Sequence, residues 1–126
     1  MALKNKTIVA FAGPAGIGKT SVAMKVAKKL KGESVIISTD TMREMTYPQS
    51  GGKKRSDRHI IMAKKIVPCL VKEYFKHGFD NVIIDIAPPV PGDVGASDKW
   101  LANSLKKMGG KVFLFDASLK TVLQRN

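Results

Sequence analysis

Three glycines, a lysine and a hydroxyl residue follow one another near the start of the chain. The full match to the pattern GxxxxGK[ST] consists of Gly13, Pro14, Ala15, Gly16, Ile17, Gly18, Lys19 and Thr20. Glycines let the backbone turn tightly, so that successive N–H groups can point at phosphate oxygens. In this pattern the lysine reaches the β- and γ-phosphates and the threonine hydroxyl binds Mg²⁺. The segment predicts a nucleotide phosphate site, with Ser21 near the α-phosphate.

The phosphate pattern alone does not distinguish a motor, a molecular switch and a kinase. Proteins that recognise guanine use a separate sequence element, and the sequence contains no convincing Asn-Lys-x-Asp run. ATP is therefore the expected nucleotide.

A second polar group, Asp40 and Arg43, follows the apolar run at residues 35–38. Ligands of parallel sheets bind outside the carboxyl ends of the strands, so both residues should open on the same side as the phosphate loop. Asp40 can accept the proton of a hydroxyl that attacks the γ-phosphate. The planar guanidinium of Arg43 suits an acceptor phosphate or carboxylate. The alternative is that Asp40 caps a short helix and Arg43 is solvated.

Asp85 ends an apolar run of one valine and two isoleucines. An aspartate in this position is typical of a Walker B strand, in which it holds Mg²⁺ directly or through water. Thr20 and Asp85 together are the predicted metal site. The alternative is an ordinary solvent-facing strand end.

Strands and helices are predicted to alternate along the chain. Apolar runs predict strands at residues 7–12, 35–38, 81–87 and 111–115. Apolar periodicity and end signals predict helices at 19–31, 41–46, from Asp57 to about His77, at 97–108 and from Ser118 onward. Ser56 and Ser97 are the predicted caps of the third and fourth helices, and a mobile loop is predicted after residue 46. Pro68 should kink or split the longest helix. The pattern favours an α/β fold, a three-layer α/β/α domain with a parallel sheet, over residues 1–126.

These motifs resemble the P-loop kinases. The stretches TIVAFAGPAGIGKTSVAMKVAKKL and VIISTDTMREM are similar to the subgroup with Asp-x-x-Arg after the second strand, which includes polynucleotide 5′-hydroxyl kinases, the archaeal kinase acting on seryl-tRNA and 2-phosphoglycerate kinases. The resemblance implies a P-loop NTPase core in which Asp40 is the catalytic base and Arg43 orients the acceptor. It also implies that residues 87–89 form one wall of the acceptor site. It is strongest over residues 7–46 and does not identify one substrate.

The last residues resemble the fourth strand and following helix of these kinases. There an arginine, here Arg125, leads into a mobile lid, and on this resemblance Arg125 joins the predicted nucleotide-binding residues. The family pattern continues with lid arginines, a fifth strand and a last helix, which do not follow in this sequence. Lid arginines can raise the rate of phosphoryl transfer by orders of magnitude. We therefore expect a C-terminally incomplete core that turns over poorly alone or is completed by a partner.

The charge of the chain is strongly positive. Twenty-two Lys and Arg against ten Asp and Glu give a formal net charge of +12. Such a field favours nucleotides, phosphorylated metabolites or RNA. The alternative is a solvated lysine-rich surface, with Lys64 and Lys65 among the lysines on helix faces. Residues 53–58 form a basic cluster that either clamps an anionic acceptor or is a solvated loop.

Other features of the sequence restrict the class and location of the protein but do not predict a site. A single cysteine, Cys69, fits a reducing compartment, and no apolar run approaches the roughly 20 residues of a membrane span. With no signal peptide pattern at the start, we expect a cytoplasmic protein. His59, His77, Asp93 and Asp98 receive no role, and Cys69 and Trp100 are expected in the core.

Three functions remain open at this stage. The first is an ATP-dependent kinase in which Lys19, Asp40 and Arg43 are catalytic and the acceptor is a small, anionic metabolite. The second is a kinase that acts on an RNA or DNA end. The third is an ATP-binding regulatory module that hydrolyses slowly or not at all. The sequence says nothing about the oligomeric state.

Overall fold

The computed structural model describes residues 5–12, 19–46, 53–88, 93 and 95–114, with the main chain alone at 19, 20, 53–56 and 114. Its elements are β1 (Thr7–Ala12), α1 (Lys19–Lys29), β2 (Ser34–Ser38), α2 (Thr39–Arg43), α3 (Lys53–Lys76), β3 (Asn81–Ile86), α4 (Ala96–Lys107) and β4 (Lys111–Leu114). The alternation of strands and helices is as predicted. The last predicted helix, from Ser118, lies outside the described residues.

The described strands form one parallel sheet in the order β2-β3-β1-β4. β3 lies between β2 and β1, and all of its side chains are buried. Its sequence NVIIDI is apolar at adjacent positions because helices cover both faces of the sheet. The predicted α/β fold with a parallel sheet is confirmed.

Two hydrophobic cores lie on opposite faces of the sheet. On one face, α1 packs Ala23 against Phe11 and Ile83. On the other face, α3 and α4 bury the apolar residues Val67, Val71, Phe75, Leu101 and Leu105 against the strands. Burying each such side chain stabilises the fold by about 1.5–3 kcal/mol. The layers are therefore helix, sheet and helix, as predicted.

α3 is longer than the sequence predicts and is not divided into two helices. It begins at Lys53 and runs without interruption to Lys76, so Pro68 does not split it. Ser56 lies inside the helix and is not its cap, and residues 53–58 are helical rather than a loop. α3 packs on the sheet through Val67, Val71 and Phe75 and also contacts α2 and α4, and this tertiary packing maintains the helix past a proline that costs about 3 kcal/mol in an isolated helix.

The start of α4 is held by Asp93 and not by Ser97. Gly95 occupies the cap position with a φ of 74°. The Asp93 carboxylate accepts hydrogen bonds from Ser97 N at 2.7 Å and from Ser97 Oγ at 2.5 Å. The bond from the Ser97 hydroxyl, and then the bond from its backbone N–H, hold the pKa of Asp93 below its ordinary value of 3.8.

Three side chains lie in environments opposite to those expected. Cys69 and Trp100 are not in the core: Cys69 is exposed, and Trp100 is 39% exposed. Lys64, expected on a solvated helix face, is completely buried. Exposure of the first two leaves the outer surface of α3 and α4 with reactive and aromatic groups, whereas Lys64 places a charge in the interior.

Candidate active site

Three strands end at one edge of the sheet. Asp85 on β3 is level with Phe11 on β1 and with Ser38 on β2. Ala12, the last residue of β1, is one position beyond that line. Ligands of parallel sheets bind at this carboxyl edge, so the register brings together Asp85 and the two strand ends that precede the other predicted segments of the site.

The phosphate loop joins two described elements. β1 ends at Ala12 and α1 begins at Lys19, which confirms the strand and helix expected on either side of the loop. Residues 13–18 lie outside the described residues, as does Arg125. The main chain of Lys19 and Thr20 opens α1, and Ser21 is exposed in its first turn. The roles predicted for these residues remain predictions.

Asp85 is the acidic residue closest to the centre of the sheet edge. It is the fifth residue of β3 and is only 8% exposed, so it does not lie at the solvent-facing strand end that was the alternative. A carboxylate buried to this degree must be compensated by hydrogen bonds or a positive charge. Within the described ranges no group of three or more His, Cys, Asp or Glu side chains could hold a metal ion. A cation at Asp85 would therefore need further ligands from Thr20, a nucleotide or water.

α2 begins two residues earlier than predicted. Ser38 is its cap, and the Ser38 Oγ accepts a hydrogen bond from Thr41 N at 3.4 Å. Asp40 lies inside the first turn, so the alternative in which Asp40 caps the helix is wrong. Thr39 is fully buried, and its hydroxyl accepts a hydrogen bond from Ala87 N at 2.8 Å. This bond ties the start of α2 to the end of β3.

Asp40 and Arg43 lie together on the open side of α2. Arg43 Nη2 is 3.5 Å from the Asp40 carboxylate and 3.3 Å from the Glu44 carboxylate. The side chain of Asp40 is 54% exposed and that of Arg43 is 28% exposed. The two side chains therefore lie on the same side of α2, and the Asp40 carboxylate is accessible to a ligand.

Sequence reasoning missed a buried ion pair next to this edge. Lys64 Nζ on α3 is 2.7 Å from the Asp98 carboxylate on α4 and donates to Pro88 O at 3.2 Å. Pro88 follows the end of β3, so Lys64 holds the backbone just beyond Asp85. The signal was present, because Lys64 falls between Ile60 and Val67 at the helical spacing of buried residues.

His59 is also more connected than its isolation in the sequence suggests. It is buried, and its Nδ1 lies 3.2 Å from the Thr46 hydroxyl, while Arg58 Nη2 lies 3.4 Å from Nε2. The Thr46 hydroxyl donates to Arg43 O at 3.4 Å, so the tautomer that satisfies every contact carries its proton on Nδ1. His59 thus fixes the end of α2 to α3.

An apolar cavity of about 490 Å³ lies beside this site, between β2, α2 and α3. Met42 and Met45 of the α2 region and Met62, Ile66 and Tyr74 of α3 line it. Asp40 and Arg43 do not, because at 100° per residue they project from the other side of α2. The cavity and the charged pair are therefore separate surfaces of one short helix.

Comparison with known proteins places these features in context. A family model described as an AAA domain matches residues 8–126. A probable adenylyl-sulfate kinase of Pyrococcus abyssi (strain GE5 / Orsay) is 37% identical over 79 residues, which make up 60% of this chain and 44% of the relative. A tRNA dimethylallyltransferase of Fusobacterium nucleatum subsp. nucleatum is 33% identical over 115 residues, 90% of this chain and 32% of the relative. The chain spans less than half the length of these curated relatives.

Solved structures share the fold at low sequence identity. A chain of the Pnkp1/Rnl/Hen1 complex aligns with a TM-score of 0.57 and 19% identity, over 95% of this chain and 38% of that chain. A mutant of the Mycobacterium tuberculosis APS kinase CysC aligns with a TM-score of 0.57 and 18% identity, over 90% of this chain and 78% of that chain.

Among the described residues, no helix combines the length and apolar character needed to cross a membrane.

Proposed function

Because this chain belongs to the AAA domain family and has a P-loop NTPase-like core, we propose that it is an ATP-dependent phosphotransferase that moves the γ-phosphate of ATP to a hydroxyl of a small, anionic metabolite. The single observation that carries the proposal is the meeting of three strand ends. Ala12 leads into the phosphate loop, Ser38 into the helix with Asp40, and Asp85 lies between them in register.

The nucleotide half of the proposed site is the loop at residues 13–20. Its backbone N–H groups and the N-terminus of α1 would surround the phosphates, and Lys19 would contact the β- and γ-phosphates. Asp85 and Thr20 would hold Mg²⁺, which when bound neutralises charge on the phosphate oxygens. The burial of Asp85 fits this role, since a cation compensates a carboxylate in a poorly solvated position.

The acceptor half is α2. The acceptor oxygen attacks the γ-phosphorus, the bond from that phosphorus to the β,γ-bridging oxygen breaks, and ADP leaves. The hydroxyl proton passes to the Asp40 carboxylate. Arg43 would exchange its contacts with Asp40 and Glu44 for an anionic group of the acceptor, which its exposure permits.

Three observations bear on the class of acceptor. The name of the Pyrococcus relative, a probable adenylyl-sulfate kinase, supports transfer to a small anionic compound. The name of the Fusobacterium relative and the net charge of +12 favour a second candidate, a kinase that acts on an RNA or DNA end. Salt separates the two, because contacts with a polynucleotide weaken steeply as salt rises.

The test is a screen of hydroxyl acceptors with γ-labelled ATP. We expect label to appear in one acceptor class and to be lost in Asp40→Asn. The matched control is Glu44→Gln, which removes the neighbouring carboxylate that also contacts Arg43. Transfer that survives in Asp40→Asn would contradict the role of Asp40. ATP binding without label in any acceptor would favour an ATP-binding regulatory module instead.

A further inference from the structure

The outer sides of α3 and α4 carry a band of exposed cations, here named the α3–α4 basic face. Its members are Arg58, Lys65, Lys72, Lys76, Lys99 and Lys106. On α3, residues 58, 65 and 72 are seven apart and Lys76 follows after four more, so all four project from one side. In the part of the chain that the structure describes, none of the six lies within ion-pair distance of a carboxylate.

Helix stability does not account for these charges. Cations stabilise the last turn of a helix, which covers Lys76 and Lys106 but not Arg58, Lys65 or Lys72. Lys72 and Lys76 are four residues apart, where like charges are destabilising. By contrast, Lys28 and Lys29 of α1 lie in its last turn and are favourable there.

The carboxylates of Asp98, Glu73 and Asp93 near this face contact other residues. Asp98 of α4 forms the buried pair with Lys64, and Glu73 of α3 lies 3.5 Å from His77. Asp93 accepts both hydrogen bonds from Ser97. Asp98 is offset by Lys64, and the six cations outnumber Asp57, Glu73 and Asp93, so the net charge of the face is positive even though Asp93 interacts electrostatically with Lys65.

An aromatic ring lies within this band of cations. Trp100 of α4 is 39% exposed, and Lys65 Nζ lies 4.0 Å from the centroid of its ring. Surfaces that hold nucleic acid strands combine cations that track the phosphates with aromatic side chains that contact bases. An exposed tryptophan among lysines that have no carboxylate partner in the described residues fits that combination, whereas a solvated lysine-rich face needs no tryptophan.

We propose that the α3–α4 basic face binds the phosphate backbone of a nucleic acid strand. The stripe from Arg58 to Lys76 extends about 27 Å at the helical rise, long enough to contact several successive phosphates of a strand. This surface is distinct from Asp40 and Arg43. It requires neither that the chain transfers phosphate nor that the bound strand is the acceptor.

The test uses the only tryptophan of the chain as a local reporter. An unstructured 12-mer oligonucleotide is titrated while the fluorescence of Trp100 and the anisotropy of a label on the oligonucleotide are recorded. In the face variant, Lys65, Lys72, Lys99 and Lys106 are all changed to Gln. In the matched control, Lys25, Lys28, Lys29 and Lys31 are changed to Gln, which removes the same charge from the opposite side of the sheet.

We expect the face variant to bind the oligonucleotide at least about tenfold more weakly. The slope of the logarithm of the dissociation constant against the logarithm of the salt concentration should fall by about 3. The control should bind like the unmodified chain, and binding should survive Lys19→Ala, which separates this surface from the phosphate loop. Equal weakening in the face variant and the control would overturn the proposal, because it would show a response to net charge alone. Vesicles of phosphatidylserine and phosphatidylcholine that bind through the same lysines while the oligonucleotide does not would also overturn it.

Discussion

Two ion pairs lie near the same end of the sheet and differ in almost every physical respect. Arg43 and Asp40 are 3.5 Å apart on the short helix α2, with side chains 28% and 54% exposed. Lys64 and Asp98 are 2.7 Å apart between α3 and α4, with side chains 0% and 19% exposed. The first pair is open to a ligand, and the second is enclosed by the protein.

The difference indicates which charges are available for chemistry. An exposed pair contributes about 0–1 kcal/mol to stability, so the stability of the fold depends little on it. A buried pair is costly to disrupt, because removing one partner leaves an uncompensated charge in the interior. In the proposed function, phosphate transfer depends on Asp40 and Arg43, whereas Lys64 and Asp98 hold the chain beyond Asp85.

The largest expected effect is the loss of phosphate transfer when Asp40 of the exposed pair is substituted. Asp40→Asn should lower the rate of phosphate transfer by about 10²–10⁴-fold, because the acceptor hydroxyl loses its base. The same variant should change the free energy of unfolding by less than about 1 kcal/mol. Single-turnover transfer and urea unfolding measure the two quantities. A large loss of stability with unchanged transfer would reverse the assignment of the exposed pair.

Substitutions in the buried pair should, by contrast, cause a large loss of stability. Asp98→Asn or Lys64→Met should reduce the free energy of unfolding by about 3–5 kcal/mol, because each leaves a buried charge without its partner. The double variant Lys64→Met with Asp98→Leu removes both charges and should recover most of that stability. Urea unfolding gives these values. If the single variants were as stable as the unmodified chain, Lys64 and Asp98 would not be a buried pair in solution.

A smaller effect is expected where α2 joins β3. Thr39→Val keeps the shape of the side chain but removes the hydroxyl that accepts from Ala87 N, which should cost about 1–3 kcal/mol. Transfer should fall as well, since Asp40 is the next residue along the helix. Thr41→Val on the exposed side is the control and should cost less than about 0.5 kcal/mol. Equal melting temperatures for the two variants would show that the buried bond does not hold α2.

The smallest effect concerns the Asp93 carboxylate, which accepts two hydrogen bonds from Ser97 in the first turn of α4. The pKa of Asp93 is lowered in the folded chain, so its contribution to stability is fully present above 3.8 and is lost as the pH falls through the lower folded value. Asp93→Asn should therefore lower the melting temperature at pH 7 and have a vanishing effect in strong acid. Ser97→Ala should raise the pKa of Asp93 toward its ordinary value. A pH-independent difference would contradict this assignment.

Much of this architecture could be predicted from local patterns. Strand β1 was predicted at the bounds observed, and the other strands within one residue at either end, because buried parallel strands are uninterrupted apolar runs. The position of Asp85 at the end of such a run was sufficient to place it at the carboxyl edge. The spacing of Ile60, Ala63 and Val67 likewise identified the buried side of α3.

The contacts that depend on pairing between distant elements could not be predicted. The length of α3 through Pro68 follows from packing on the sheet, which outweighs the local preference of proline. Lys64 is buried because Asp98, 34 residues away in the sequence, faces it across two helices. The spacing of Lys64 from Ile60 and Val67 indicates the buried side of α3, but the partner that compensates its charge could not be identified from the local sequence. The hydrogen bond between Thr39 and Ala87 likewise joins residues that are far apart in the sequence.

The most direct test of the central claim is a calorimetric titration of MgATP into the unmodified chain, Lys19→Ala and the control Lys25→Ala. Loss of a charge-assisted contact with the phosphates, about 1.5–3 kcal/mol, should weaken binding by about 10–100-fold in Lys19→Ala. Lys25→Ala, on the exposed side of the same helix, should bind ATP like the unmodified chain. If Lys19→Ala also bound MgATP with unchanged affinity, the nucleotide would not lie on the loop at residues 13–20, and the proposed phosphotransferase site would be wrong.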